Sequence, residues 1–97
     1  MATHRYLEIS TAAVTREVMG KLTRGEIEGI STYPSREGAF VMVPSEMAGE
    51  GELRERLQRE EPGLCALLVH AVEQDCQAVR LDADGDGVPE GLPSHDW

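Results

Sequence analysis

The sequence predicts an α+β fold, in which one small domain carries an antiparallel sheet with two helices on one face, as in a ferredoxin-like sandwich, followed by an acidic C-terminal tail. Segments with strand-like alternation and segments with helical periodicity follow one another in the order β-α-β-β-α-β. The chain has 97 residues, which is room for a single domain, residues 1–97, with the acidic loop and tail at 82–97. No internal repeat interrupts this order.

The first strand and the first helix are predicted in the N-terminal quarter. His4–Ser10 alternates in the manner of a strand. Ser10 or Thr11 is then expected to cap a helix that Gly25 ends. The apolar positions of this helix recur at i, i+4 and i+8 and are Val14, Val18 and Leu22. One face of the helix is therefore expected to meet the sheet.

A hairpin is predicted next. Gly29–Tyr33 and Gly38–Val43 are rich in strand-forming residues, and Pro34–Gly38 between them is rich in turn-forming ones. The polar stretch Pro44–Gly51 follows and is expected to be a linker. The two runs therefore supply the second and third strands.

Two helices and a last strand complete the predicted domain. Glu52–Glu60 predicts a short peripheral helix in which Leu53 and Leu57 face inward. Pro62 suits the first turn of the next helix, whose apolar stripe predicts the main core element. This stripe consists of Leu64, Leu67, Leu68, Ala71 and Val72. Ala78–Leu81 predicts a short strand that leads into the tail.

The two cysteines and the lack of apolar runs indicate a cytoplasmic protein. Cys65 and Cys76 lie eleven positions apart on one predicted helix, about 16 Å from each other, which is too far for a disulfide. They are expected to be small buried residues in a reducing compartment. No run approaches the ~20 apolar residues of a membrane span, and Met1–Tyr6 lacks the apolar core of a signal peptide.

Negative charge is concentrated in the second half of the chain. Residues 1–45 carry five basic and five acidic side chains, whereas residues 46–97 carry thirteen acids and four arginines and hold the whole net charge of −9. Such a field repels nucleic acid and anionic membranes as direct partners and attracts a basic protein. The candidate partner-binding residues are Glu52, Glu55, Glu60, Glu61, Asp75, Asp82, Asp84 and Asp86.

The tail also contains a candidate cation site. Alternate carboxylates and a glycine follow the first nine positions of a calcium loop, where they converge on a hard cation. The candidate ligands are Asp82, Asp84, Asp86 and Glu90. Pro93 occupies the twelfth position, where a bidentate glutamate belongs. The string Asp82–Glu90 also resembles the calcium-binding repeats of the thrombospondin type 3 kind, and the simpler interpretation is a solvated acidic turn.

Catalysis has little support in the sequence. The histidines His4, His70 and His95 are scattered, and only His95 lies near carboxylates, so that it could pair with Asp96 or join a metal site. There is no glycine-rich phosphate loop, no Cys-x-x-Cys and no His-Glu-x-x-His. We therefore expect a non-enzymatic protein without a cofactor other than possible Ca²⁺. The large apolar groups of the tail, expected to fold back on the domain, are Leu92, Pro93 and Trp97.

Several short strings resemble a family of small uncharacterised proteins encoded on plasmids, phages and integrated elements. These strings are Arg5–Ala12, Gly38–Pro44, Asp82–Gly85, Gly91–Pro93 and the pair Asp96 and Trp97. The resemblance covers most of the chain and implies a mobile-element accessory role without an established activity. The chain departs from the pattern at Gly85–Glu90, where extra acidic and glycine residues occur.

Two classes of function follow from these observations. The first is an interaction protein whose acidic face, at residues 46–61 and 75–96, imitates a phosphate backbone and occupies a basic groove on a host nucleic-acid-handling protein, as anti-CRISPR and anti-restriction proteins do. The alternative is a metal-responsive module in which a cation at Asp82–Glu90 orders the tail and holds Trp97.

Overall fold

The computed structural model describes residues 5–35, 38–49, 51–83, 87–88, 92 and 94–95. A four-stranded sheet is formed by β1 (Tyr6–Ser10), β2 (Thr32–Ser35), β3 (Gly38–Met42) and β4 (Ala78–Asp82). The helices are α1 (Arg16–Thr23), α2 (Glu52–Glu60) and α3 (Pro62–Glu73), and two 3₁₀ turns lie at Thr11–Ala13 and Ser45–Ala48. The predicted α+β class and single small domain are confirmed.

The sheet is mixed, and the prediction of a purely antiparallel sheet is wrong. Its strand order is β1-β4-β3-β2, with β1 parallel to β4 and the other neighbours antiparallel. The ferredoxin-like arrangement is therefore not confirmed. Four of the five residues of β4 are buried, because this strand pairs along both of its edges. The order of strands along the chain does not specify which neighbours each strand selects, so the sequence could not place β4 in the interior.

The segment after β1 contains two capped elements instead of one helix. The Ser10 hydroxyl accepts a hydrogen bond from the Ala12 N–H and caps only the 3₁₀ turn. Val14 then returns to extended backbone and is buried, and Thr15 caps α1 by accepting from the Val18 N–H at 3.1 Å. The predicted helix start at Ser10 or Thr11 is wrong. The segment contains two capping residues, Ser10 and Thr15, and only Thr15 begins the helix. Gly25 follows the C-cap Arg24 with φ 67° and ends the helix, as predicted.

The predicted hairpin is confirmed with shifted bounds. β2 begins at Thr32, three residues later than predicted, and it continues through Pro34, which lies opposite Ala39. Proline is tolerated here because β2 is an edge strand whose outer N–H groups need no partner in the sheet. Pro34, Ser35 and Gly38, which were predicted to lie in the turn, thus belong to the strands.

The connection from β3 to β4 holds the three remaining helical elements. The stretch predicted as a polar linker contains a 3₁₀ turn that buries Met47 to 1% exposure. α2 has the predicted bounds, buries Leu53 and Leu57, and packs mainly on α3 and on this turn. α3 begins at Pro62 as predicted and packs on β4.

The core is built from aliphatic side chains, and none of the buried residues in the described part of the chain is aromatic. Both cysteines are buried and free, as predicted, although Cys76 lies beyond the end of α3 instead of on it. Burial raises the pKa of the Cys65 thiol, so it stays protonated at neutral pH. None of the described helices is long and apolar enough to cross a membrane.

Candidate functional site

The first two predicted partner-binding residues lie at the beginning of α2. Glu52 and Glu55 are exposed and occupy the first turn of this helix, where negative charge is favoured by the helix dipole. No residue in the described part of the chain forms an ion pair or a side-chain hydrogen bond with either of them. Their carboxylates are therefore available to a partner.

These two glutamates line a surface groove, which we call the α2 groove. It has a volume of about 690 Å³, and its acidic residues are Glu28, Glu46, Glu52 and Glu55. Two arginines, Arg56 and Arg59, also line it. The Arg56 side chain is partly exposed and is fixed by contacts within the chain. Its guanidinium donates to the Glu28 carbonyl oxygen and lies 3.9 Å from the Glu28 carboxylate and 3.7 Å from the Glu60 carboxylate. The groove therefore presents four carboxylates against two guanidinium groups.

Two further predicted residues, Glu60 and Glu61, have partners within the chain. The Lys21 ammonium donates a 2.8 Å hydrogen bond to the Glu61 carboxylate, which is only 17% exposed. This hydrogen bond and the charge of Glu61 raise the pKa of Lys21 above its ordinary value. Glu60 pairs with Arg56 one turn earlier on α2. Glu61 thus joins α1 to the junction of α2 and α3, a structural role that its position in an acidic run does not reveal.

Asp75 lies at the end of α3 opposite to Glu61. It is exposed in the turn after α3 and has φ 57°, a left-handed conformation that aspartate tolerates better than most residues. α3 has 12 residues and is about 18 Å long, so Asp75 and Glu61 lie at opposite ends of it. These two predicted residues are therefore separated by the length of α3.

Asp82 is the one member of the predicted cation site within the described residues. It ends β4, is 6% exposed, and its carboxylate lies 3.2 Å from the Arg80 guanidinium. The other candidate ligands, Asp84, Asp86 and Glu90, lie outside the described residues. Within the described residues, no group of three or more potential ligands could hold a metal ion. The calcium loop stays a prediction, and Asp82 already has a cationic partner.

The described part of the tail packs against the domain, which agrees with the expectation for Leu92. Val88 and Leu92 pack on the core. The Ser10 N–H donates to the Gly87 carbonyl at 3.0 Å, and the His95 N–H donates to the Ala12 carbonyl at 2.8 Å. Both bonds attach the tail to the segment at the end of β1. The expected docking of Pro93 and Trp97 falls outside the described residues, as does the pairing of His95 with Asp96.

His95 also lines a cavity that sequence reasoning missed. The cavity has a volume of about 450 Å³ and lies between α1 and the beginning of α3. Val14, Val18 and Leu64 supply apolar walls, and the pair formed by Lys21 and Glu61 supplies polar ones. No sequence motif pointed to this place, because its walls come from three separate segments that only the tertiary structure brings together.

The open face of the sheet is a second feature that sequence reasoning missed. Ile9, Val41 and Val79 lie on the face that contributes to the core. Tyr6, Phe40 and other residues at the alternate positions lie on the opposite face, and several of them are exposed. The period-two alternation of β1 and β3 was the signal available in the sequence.

The fold and these surfaces define a small acidic α+β domain with an open sheet face and a carboxylate-lined groove. Residues 6–97 match the model described as "Family of unknown function (DUF5983) C-terminal domain". Since the match spans most of the chain, the protein belongs to this family, which confirms the expectation of an uncharacterised family. No curated protein and no solved structure matches the chain.

Proposed function

We propose that the protein is a non-enzymatic accessory protein of a mobile element that binds a basic host protein through the α2 groove. The observation that supports this most is the set of four carboxylates in the groove, of which Glu52 and Glu55 have no partner within the described residues. A fixed array of carboxylates attracts lysine and arginine side chains that ordinarily contact phosphates. The host partner we propose is therefore a nucleic-acid-handling defence protein, inhibited in the manner of anti-CRISPR or anti-restriction proteins.

The charge of the whole chain supports the same proposal. A net charge of −9 on 97 residues accelerates encounter with a basic surface and repels nucleic acid itself. Arg56 and Arg59 give the groove an uneven pattern of charge, which favours a partner with a matching arrangement over any polycation.

The test is inhibition of DNA cleavage by a panel of purified restriction endonucleases and CRISPR effector complexes. We expect inhibition of at least one enzyme, and we expect it to weaken steeply as salt rises. The double variant Glu52→Gln, Glu55→Gln should lose at least tenfold in potency. The matched control is Glu17→Gln, Glu73→Gln, which changes the net charge equally at exposed positions outside the groove. Equal losses in both variants, or inhibition that salt does not affect, would contradict groove binding.

A further inference from the structure

The open face of the sheet contains most of the aromatic residues of the protein. The chain has four aromatic residues, and three of them, Tyr6, Tyr33 and Phe40, lie on this face. The register places Tyr6 and Met42 on either side of Ala78, and places Tyr33 next to Phe40 in the neighbouring row. Aromatic residues and methionine are enriched where proteins bind each other. The core, in contrast, uses aliphatic residues at its buried positions.

These side chains form a shallow apolar depression. Tyr6 and Phe40 contact each other edge to face, with ring centroids 5.3 Å apart, across the small residue Ala78. The depression has a volume of about 200 Å³, and Met42 supplies a further wall. Ligand pockets for small molecules typically measure roughly 300–1,000 Å³. The depression is therefore the size for one side chain of another polypeptide.

Among the described residues, the charges on this face balance one another. Arg80 lies at the centre of the face. Its guanidinium lies 3.9 Å from the Glu8 carboxylate and 3.2 Å from the Asp82 carboxylate. The same guanidinium lies 6.0 Å from the centroid of the Phe40 ring. Arg5 lines the edge of the depression. The formal charges of Arg5, Arg80, Glu8 and Asp82 sum to zero, whereas the whole chain carries a net charge of −9. Two copies of the chain therefore repel each other less when they approach through this face than when they approach through acidic surfaces such as the α2 groove.

We propose that the open sheet face binds a second copy of the chain in a two-fold symmetric dimer. A two-fold interface pairs a projection on one copy with a depression on the other, and vice versa. Tyr33 is the projection, because it is the most exposed large apolar side chain among the described residues at 63%. It enters the depression beside Tyr6 and Phe40 of the second copy, and Arg5 of one copy meets Glu8 of the other.

The strength of this dimer follows from its size. Only three large apolar side chains of this face are exposed among the described residues, Tyr6, Tyr33 and Met42, at 51%, 63% and 39%. They are few compared with the roughly 20–30 residues that each partner contributes to a standard interface. We therefore expect a reversible dimer at micromolar concentrations. Its salt dependence is opposite to that of the proposed host complex, since added salt screens the repulsion between two copies that each carry −9.

Sedimentation equilibrium of the full chain over a wide concentration range, at low and high salt, tests the proposal. We expect the weight-average mass to rise from that of a monomer toward that of a dimer, with at least a threefold tighter association at high salt. Tyr33→Glu should weaken association at least tenfold, and Met42→Lys should do the same at a second position on the face. Gln58→Glu serves as the control, because it adds the same charge as Tyr33→Glu at an exposed position on α2.

Circular dichroism verifies that each variant is folded. Tyr33→Glu and Met42→Lys change different positions of the face, so if one variant does not fold, the other still tests the proposal. A monomer at every concentration and salt would overturn the proposal and leave the face to a different polypeptide. A dimer that tolerates both face variants would also overturn it. The Glu52→Gln, Glu55→Gln variant should dimerise at least as well as the wild type, so failure of groove binding and failure of dimerisation are distinguishable.

Discussion

At the scale of single residues, close neighbours decide what each side chain or glycine does. Asp82 belongs to a string typical of calcium loops, yet its carboxylate lies beside Arg80 on the sheet. Glu61 belongs to an acidic run, yet it is bonded to Lys21. Gly38 lies in a strand, where glycine is ordinarily unfavourable, because β3 approaches β4 closely at this end.

Replacement of Gly38 by alanine should destabilise the domain strongly. A Cβ at this position would overlap the Leu81 carbonyl oxygen, which is backbone and cannot turn away, so β3 and β4 would have to separate. We expect a loss of about 3 kcal/mol or more in the free energy of unfolding, measured by urea denaturation. Gly63→Ala is the control, because a Cβ there meets nothing within 4 Å on α3. It should be neutral or stabilise by up to about 1 kcal/mol, and equal effects of the two changes would refute the steric explanation.

At the scale of elements, charge patterns in the sequence do not translate directly into acidic surfaces. α2 contains three glutamates and three arginines and is neutral as a unit. Its acidity arises at the α2 groove, where Glu28 and Glu46 from other segments join the first turn of the helix. The opposite end of α2 is tied to α1 through Glu61 and Lys21, so the two ends of one helix have different roles.

The bond between α1 and the junction of α2 and α3 should make stability depend on alkaline pH. The pKa of Lys21 is raised in the folded state, so its contribution is fully present below about pH 10.4, the ordinary lysine value, and is lost as pH rises through the higher folded value. Lys21 is the only lysine of the chain, which isolates this effect. Urea unfolding of the wild type should therefore weaken more between neutral and alkaline pH than that of Glu61→Gln.

The comparison needs a control for the other groups that titrate at alkaline pH. Glu17→Gln removes a carboxylate that is 3.8 Å from Lys21 but 80% exposed. It should retain the alkaline loss of stability seen in the wild type, because the hydrogen bond to Glu61 is intact. If Glu61→Gln follows the same pH profile as the wild type, the Lys21 bond contributes nothing to stability.

At the scale of the whole molecule, the net negative charge is the dominant property. The described residues include twelve carboxylates and eight cationic side chains, a difference of four, while the whole chain carries −9. The remainder belongs to sequence positions outside the described residues, chiefly in the tail. Self-repulsion of this size destabilises the folded state and responds to salt.

Calcium and magnesium should therefore raise the unfolding temperature equally at matched ionic strength. Screening of the −9 charge depends on the valence of the cation, which the two ions share. Thermal unfolding in calcium, in magnesium and in chelator measures this. A specific calcium site at ~100 times its dissociation constant adds about 2.7 kcal/mol, or roughly 10–20 °C for a domain of this size. A calcium-specific rise of that size would contradict our expectation and support the calcium loop, and loss of the rise in Asp84→Asn would assign it.

Much of the fold and less of the site could be predicted from the sequence. The bounds of α2, the start of α3 at Pro62 and the last strand follow from local periodicity and from proline at a helix start. The start of α1 could not be predicted in this way. Ser10 and Thr15 are both good capping residues, and only their surroundings decide which one begins the helix. Of the candidate site, Glu52 and Glu55 are exposed in the structure, and their role in partner binding stays a prediction.

The sequence by itself determined the class of fold, the aliphatic core and the excess of negative charge, because these depend on composition and on periodicities of two and 3.6 residues. Only the tertiary structure decided that β4 lies between β1 and β3, that Glu61 is bonded to Lys21, and that the aromatic side chains share one open face. The physical reason is that these features join residues distant in the chain, and neither strand neighbours nor ion-pair partners are encoded in a local pattern.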